Sequence, residues 1–275
     1  MKKAIFVLLG ATIYHFVIFA QGEIDAQQRV FYRNEWSVAF MLNSNGFGGN
    51  YRYGQHVDAA NKRLYEVDLV YLKDPKEYKS YTYNPGSNTR YVDGKKNLAV
   101  NFRIGYGKQH EQFRKHDAGG IAIRYFYNFG PSVALLKPIY YEIVKSQFGE
   151  RGNILPPDKY NSQWTAKNIY IMGRASFFKG FDEISFVPGV FGKFGYNFEF
   201  STNDRIVHAL EVGAIAEGFI KKIEIMDFTN PYIRQTDVAK NRQLFLTLFI
   251  SYRFGRIVDP YEVKKKRERS TEISY

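Results

Sequence analysis

The chain has 275 residues, a formal net charge of +12 and no cysteine, and Trp, Tyr and Phe together make up 17% of it. The missing cysteine excludes a disulfide scaffold, a thiolate zinc site and a lipid anchor on an N-terminal cysteine. The aromatics and 23 glycines argue against disorder or a coiled coil. A mean hydropathy of −0.38 argues against a bundle of membrane helices, yet leaves a transmembrane β-barrel open, because alternating apolar and polar residues cancel in the average.

In chain order, Met1-Lys2-Lys3 is a basic start, Ala4 to Phe19 is largely apolar, and Ala20 supplies a small residue before Gln21. That pattern predicts a cleaved Sec signal peptide over 1–20 and hence an exported protein, with 21–34 as a short N-terminal periplasmic segment. No later run reaches the roughly 18 apolar residues that a membrane helix needs.

From there the period is two. Strands are expected near 35–43 and 49–57; Tyr65, Val67, Leu69 and Tyr71 then oppose Glu66 and Asp68. Val100, Phe102, Ile104 and Tyr106 oppose Asn101, Arg103 and Gly105, and Ile121 to Phe129 alternates with Ala122, Arg124 and Asn128. Segments 131–145 and 166–178 also read as strands. Val190, Phe194, Tyr196, Phe198 and Phe200 then oppose Phe191, Lys193, Gly195, Asn197 and Glu199. Leu210 and Val212 oppose Ala209, Glu211 and Glu217, and Leu244 to Phe254 alternates with Thr247, Ser251 and Arg253, although Phe245 and Phe249 intrude on the polar face. A strand separates such sets onto two faces where a helix would scatter them. The sum is an all-β chain of about ten antiparallel strands over 35–255, with a basic tail over 256–275.

A soluble barrel turns its apolar face inward and a membrane barrel turns it outward. Here the apolar faces carry Tyr and Phe towards strand ends, as interfacial girdles do. The opposite faces carry Arg52, Glu66, Asp68, Arg103, Arg124, Glu142, Arg174, Lys193, Glu199, Glu211 and Arg253. That favours a transmembrane barrel with these eleven side chains in its lumen. Both signs occur in similar number, so the expected arrangement is a paired network that closes the lumen and not a one-sign constriction.

The signal peptide, the alternating segments and the closing run Leu244 to Phe254 resemble the outer-membrane β-barrel proteins of Gram-negative bacteria. The Tyr, Phe, Lys and Asn content is most similar to the small barrels of the Bacteroidota. The resemblance implies an outer-membrane location, with the last strand ending in the periplasm, 73–96 and 226–242 as surface loops, and 58–62 and 201–205 as periplasmic turns. The links 107–118 and 146–164 are long for that side, which implies either a different number of strands or unusual periplasmic loops presented to a partner. Some small barrels of this group belong to secretion or outer-membrane assembly machinery.

Candidate chemistry is sparse. His110 and His116 lie six apart beside Glu111 and Asp117, a spacing that is no recurrent metal motif, and His208 sits near a strand start. Asp182 and Glu183 read as turn residues. Gly46-Phe47-Gly48-Gly49 lacks the Lys-Ser/Thr and helix of a phosphate loop and reads as a bend. No catalytic, cofactor or metal residues are expected. The tail residues Lys264, Lys265, Lys266, Arg267 and Arg269 read as a solvated basic run or as a partner-binding tail, and export argues against nucleic acid. The expectation is a non-enzymatic outer-membrane barrel acting as a structural or accessory subunit of an envelope secretion or assembly complex. Its expected partners are outer-membrane lipid and periplasmic or outer-membrane proteins. The alternatives are a passive small-solute pore and an enzyme acting on lipid A or protein.

Overall fold

The computed structural model describes residues 34–75, 77–81, 90–115, 119–146, 152–202, 205–227 and 242–258. The expected signal peptide and most of the basic tail lie outside them. Thirteen strands follow one another: β1 (Asn34–Asn43), β2 (Gly46–His56), β3 (Asn61–Leu72), β4 (Lys79–Tyr81), β5 (Arg90–Val92), β6 (Asn97–Phe113), β7 (Ala122–Pro138), β8 (Tyr140–Lys145), β9 (Asn153–Lys159), β10 (Ile169–Arg174), β11 (Ser185–Glu199), β12 (Ile206–Phe219) and β13 (Leu244–Val258).

Eight of them, β1, β2, β3, β6, β7, β11, β12 and β13, close into an antiparallel barrel in which each pairs with its neighbours in that order. Closure is made by β1 and β13, paired from Asn34 opposite Val258 to Asn43 opposite Phe249. The barrel has no free edge, so every strand finds backbone partners on both sides. β13 runs three residues past the boundary expected at 255.

The connections differ by end. The links 57–60, 114–121 and 200–205 are short and lie at one end. The first is fastened by Asp58 Oδ1, which accepts from the amides of Ala60 (2.9 Å) and Asn61 (2.8 Å). The links 73–96, 139–184 and 220–243 are long and share the other end with the tight β1–β2 turn at Ser44–Asn45. Gly46 leaves that turn with a positive φ, and a Cβ there would stand 1.9 Å from the Tyr71 carbonyl oxygen. The glycine cluster of 46–49, expected as a bend, is instead the start of β2, paired in register with β1 and β3, and the bend lies just before it at Ser44–Asn45.

The expected ten barrel strands are thus eight. Segment 131–145 divides at Ile139: residues up to Pro138 finish β7, and β8 leaves the barrel to pair with β9 and β10 in a separate three-stranded sheet. Segment 166–178 contains β10 of that sheet. Both sheets alternate with the same period, so periodicity does not distinguish them. The two awkward links are resolved by the same correction: 107–113 belongs to the 17-residue β6, and 146–164 lies at the long-loop end.

The accessory sheet has its own core of Ile139, Tyr141, Ile143, Tyr160 and Trp164. The three rings pack edge to face, with centroids 5.7 to 6.3 Å apart. The Tyr141 hydroxyl donates to the carbonyls of Val92 (2.9 Å) and Lys95 (2.8 Å), tying the sheet to the chain entering β6. Replacing Trp164 with alanine is expected to cost the sheet about 3–5 kcal/mol of packing. Limited proteolysis then cuts within 139–184 while the barrel strands stay protected; equal loss in both would contradict separate cores.

Burial pushes the Tyr141 phenol well above the ordinary tyrosine range. The neutral hydroxyl is therefore the form the folded sheet requires. Its contribution is intact below the unfolded tyrosine value of about 10 and is lost as pH rises beyond it. Proteolysis of 139–184 should accelerate above about pH 10, and Tyr141→Phe should flatten that dependence.

Candidate functional site: a charged and capped lumen

Alternation along each barrel strand decides what enters the lumen. Along β3, Lys62, Leu64, Glu66, Asp68, Val70 and Leu72 are buried, while Arg63, Tyr65, Val67 and Leu69 are exposed. Along β13, Thr247, Phe249, Ser251 and Arg253 are buried between exposed Leu246, Leu248, Ile250 and Tyr252. The polarity is inverted relative to a water-soluble barrel, with charges inside and large apolar side chains outside.

At the centre, four cations face four carboxylates. Arg52, Arg103, Lys193 and Arg253 meet Glu66, Asp68, Glu211 and Glu217, and none of the eight is more than 5% exposed. Glu211 is the hub. Its Oε1 accepts from Arg52 Nη1 (2.6 Å), Arg253 Nε (2.9 Å) and Asn197 Nδ2 (2.9 Å). Its Oε2 accepts from Arg253 Nη2 (3.1 Å) and Ser251 Oγ (3.2 Å). Arg52 also bonds Glu66 through Nε. Lys193 reaches from β11 to Glu66 (2.9 Å) and Asp68 (3.4 Å) on β3. Arg103 grips Glu217 at 3.1 and 2.9 Å and Asn101 donates to the same carboxylate at 2.6 Å. Arg253 is further held by Ser37 Oγ at 2.9 Å and by Asn50, which in turn donates to Asp68. Arg52–Glu211, Lys193–Glu66, Lys193–Asp68, Arg103–Glu217, Asn101–Glu217 and Arg253–Asn50 join strands that are not sheet neighbours, so these bonds cross the lumen, while the others tie adjacent strands together.

A second balanced group lies towards the short-turn end. Lys62 pairs with Glu35 at 2.6 Å. Arg124 bonds Glu199 and Glu111 (3.0 Å), and Lys115 bonds Glu199 (3.0 Å). Charges this far from water persist only when paired and hydrogen-bonded, and here the pairing is complete in sign.

Rings pack against the central cations. The Arg52 guanidinium lies 4.5 Å from the Phe126 centroid, Lys193 Nζ 5.4 Å from Phe249, and Arg103 5.9 Å from Phe191. Towards the long-loop end the interior becomes apolar. Val70, Leu72, Ala99, Ala134, Leu136, Val187 and Phe219 form one buried cluster with Ile223, Ile225 and Met226 from the link after β12. That link is fixed by backbone bonds from Lys96 N to Ile225 O (2.9 Å) and Asp227 N to Gly94 O (2.6 Å), so three apolar side chains stopper the mouth.

Nine of the eleven residues expected in the lumen are there. Glu142 and Arg174 are not: they are exposed on β8 and β10 of the accessory sheet, because those segments alternate outside the barrel. Sequence reasoning left Glu35, Lys62 and Glu217 out of the network, although Glu217 stood on the polar face. Phe249 and Phe126 belong inside, and the intrusion of Phe249 on a polar face was the available signal. The tail residues Lys264 to Arg269 lie outside the described residues.

The histidines are dispersed. His110 Nδ1 is 2.8 Å from Asn61 Oδ1 and its ring packs on Tyr125, whereas His208 sits on the outer wall 3.0 Å from the Tyr252 hydroxyl. His15 and His116 lie outside the described residues. Glu183 bonds Lys159 (2.7 Å) and the Tyr140 hydroxyl (2.8 Å), which draws its carboxyl below the usual range. On the outside, at the short-turn end, Trp36, Arg205, Ile206, Phe254, Gly255 and Arg256 line a groove of about 410 Å³.

No family model and no curated protein matches the chain. Among solved structures, the Neisserial surface protein A (NspA) is 8% identical with a TM-score of 0.38, covering 82% of this chain and 97% of that one. Ail, the attachment invasion locus protein of Yersinia pestis, solved with the heparin analogue sucrose octasulfate, is 7% identical with a TM-score of 0.37, covering 82% and 99%.

Proposed function

We propose that the protein is an outer-membrane β-barrel whose lumen is sealed, and that it works through the surfaces it presents and not through transport or catalysis. The observation that carries this reading is the inversion of polarity around the whole barrel. Trp36, Phe40, Tyr65, Leu69, Ile104, Phe129, Phe194, Leu210, Leu248 and Phe254 stand exposed on its outer wall, while the central charges sit within. Water does not tolerate so continuous an apolar band, and hydrocarbon does.

The dimensions agree. From Tyr125 to Leu135 along the outer face of β7 is ten residue steps, or about 26 Å of height at the usual rise and tilt, close to the roughly 25 Å apolar band of such barrels. Tyr53, Tyr65, Tyr106, Tyr125, Tyr196 and Tyr252 lie near the short-turn margin, as a girdle at one interface would. Just beyond them Arg63, Lys108 and Arg256 face outward into the expected headgroup zone. The resemblance in sequence implies that β13 ends in the periplasm, which supports a cell-surface position for the long-loop end and its accessory sheet.

The ion-pair network and the Ile223–Ile225–Met226 stopper support a non-conducting barrel over a solute pore. Purified protein in planar bilayers is expected to give no steady conductance, and sustained open-channel current would overturn the sealed reading. The lumen carboxylates are engaged by cations, which leaves them ill placed as general bases and supports a non-enzymatic role. With an accessory sheet at one end and β13 leading into the basic segment of the sequence from the other, the role we favour is a structural or accessory subunit of an envelope secretion or assembly complex. Native purification in mild detergent tests it: co-purifying envelope proteins are expected, and a solitary particle would contradict it.

A further inference from the structure

The turn 176–183, which returns the chain from β10 to the barrel, exposes three phenylalanines in one cluster. Phe177, Phe178 and Phe181 are 47%, 80% and 46% exposed, and their centroids lie 5.4 to 6.2 Å apart. The turn is built and not slack. Lys179 N bonds Ser176 O at 3.1 Å, and Gly180 takes a φ of +84° with its Cα side against Pro138 and Tyr140. Lys137 Nζ donates to the Lys179 carbonyl at 2.9 Å.

Lys137 locates the cluster. Along β7, Ser132, Ala134 and Leu136 point into the lumen, so Lys137 points outward, yet it is only 5% exposed. The rings of Phe177 and Phe181 cover it, each with its centroid 5.0 Å from Nζ. The aromatic cluster is therefore packed on the outer wall of the barrel. It lies one outward position beyond Leu135, which is paired with the 68% exposed Phe186. An exposed cation, Arg174, stands 5.8 Å from the Phe177 centroid.

We propose that this turn is a membrane-interface anchor: Phe178 and Phe181 enter the headgroup–acyl boundary at the long-loop end, and Arg174 meets the phosphate of an anionic lipid there. The anchor rests on the membrane-barrel reading above. Aromatic side chains partition to that boundary, and a neighbouring cation is drawn to anionic headgroups. The occupant is lipid because the cluster continues the apolar wall of Leu135 and Phe186 and carries a cation at its edge. Anchoring here would hold the accessory sheet, which enters and leaves the barrel at Ile139 and Ser185, at a fixed height above the bilayer.

The cysteine-free chain allows a single polarity-sensitive fluorophore to be placed at will. The full chain is refolded into vesicles with labels on Phe178→Cys, on Leu246→Cys in the lipid-facing wall, and on Lys145→Cys at the exposed end of β8. Lipid-borne nitroxide is expected to quench labels 178 and 246, and aqueous iodide to quench label 145 severalfold more strongly than label 178. Replacing phosphatidylcholine by phosphatidylglycerol should deepen the lipid quenching at 178, and Arg174→Gln should abolish that increment. Iodide quenching at 178 equal to that at 145, with 246 still lipid-quenched, would overturn the anchor and leave the barrel reading intact. Loss of lipid quenching at 246 would overturn both. An unchanged response to phosphatidylglycerol would overturn the phosphate contact.

Discussion

Replacing Glu211 with alanine lowers the unfolding free energy of the barrel by about 3–5 kcal/mol, the cost of stranding buried charge when one partner is removed. Among the described residues, Glu211 is the single carboxylate that both Arg52 and Arg253 contact. Arg52 retains Glu66, but Arg253 keeps only Ser37 and Asn50, which are neutral. The loss therefore falls on an arginine that is 2% exposed. Adding Arg253→Met to Glu211→Ala should recover a substantial part of it, because the stranded charge is gone and an apolar chain fills its place. Urea unfolding, followed by heat-modifiable migration on a gel, reads the double-mutant cycle. The exposed Lys96–Glu224 pair supplies the contrast: Lys96→Ala should change stability by less than about 1 kcal/mol. A Glu211 effect no larger than that would mean the lumen is wet and its charges screened.

The strands most legible in the sequence are those whose two faces differ most. In β11, Phe194, Tyr196 and Phe198 alternate with Lys193, Gly195 and Asn197, and the barrel reads that alternation directly as wall and lumen. The charged network was legible for the same reason: a lone Arg or Glu among outward aromatics has only one face left to occupy. What local sequence did not disclose was pairing. The run Val133 to Ile143 keeps one β character throughout, and the partner changes at Ile139, from β11 and β6 to β9 and β10. The same ambiguity moved Glu142 and Arg174 out of the lumen. Phe249 shows the complementary limit. Its inward face follows from the alternation, but its partners Lys193 and Phe126 lie more than fifty residues away in sequence, and no window along β13 contains them.

Ile250 lies midway along the outward row of β13, between Leu244 and Arg256, and is 46% exposed. In a barrel surrounded by water, arginine at such a site would change stability by no more than about 0.5 kcal/mol. At the midplane of a bilayer the same substitution costs about 2–4 kcal/mol, because the guanidinium must be desolvated or must drag water and headgroups inward. The inverted barrel therefore makes one comparison decisive, namely the unfolding free energy of Ile250→Arg against the wild-type chain, both folded in phospholipid vesicles. A loss of about 2–4 kcal/mol, falling towards zero for the same change at Ile206 near the short-turn margin, is the result expected of a membrane-spanning wall. A wild-type protein that folds without lipid and tolerates Ile250→Arg at no cost would show that the wall faces water.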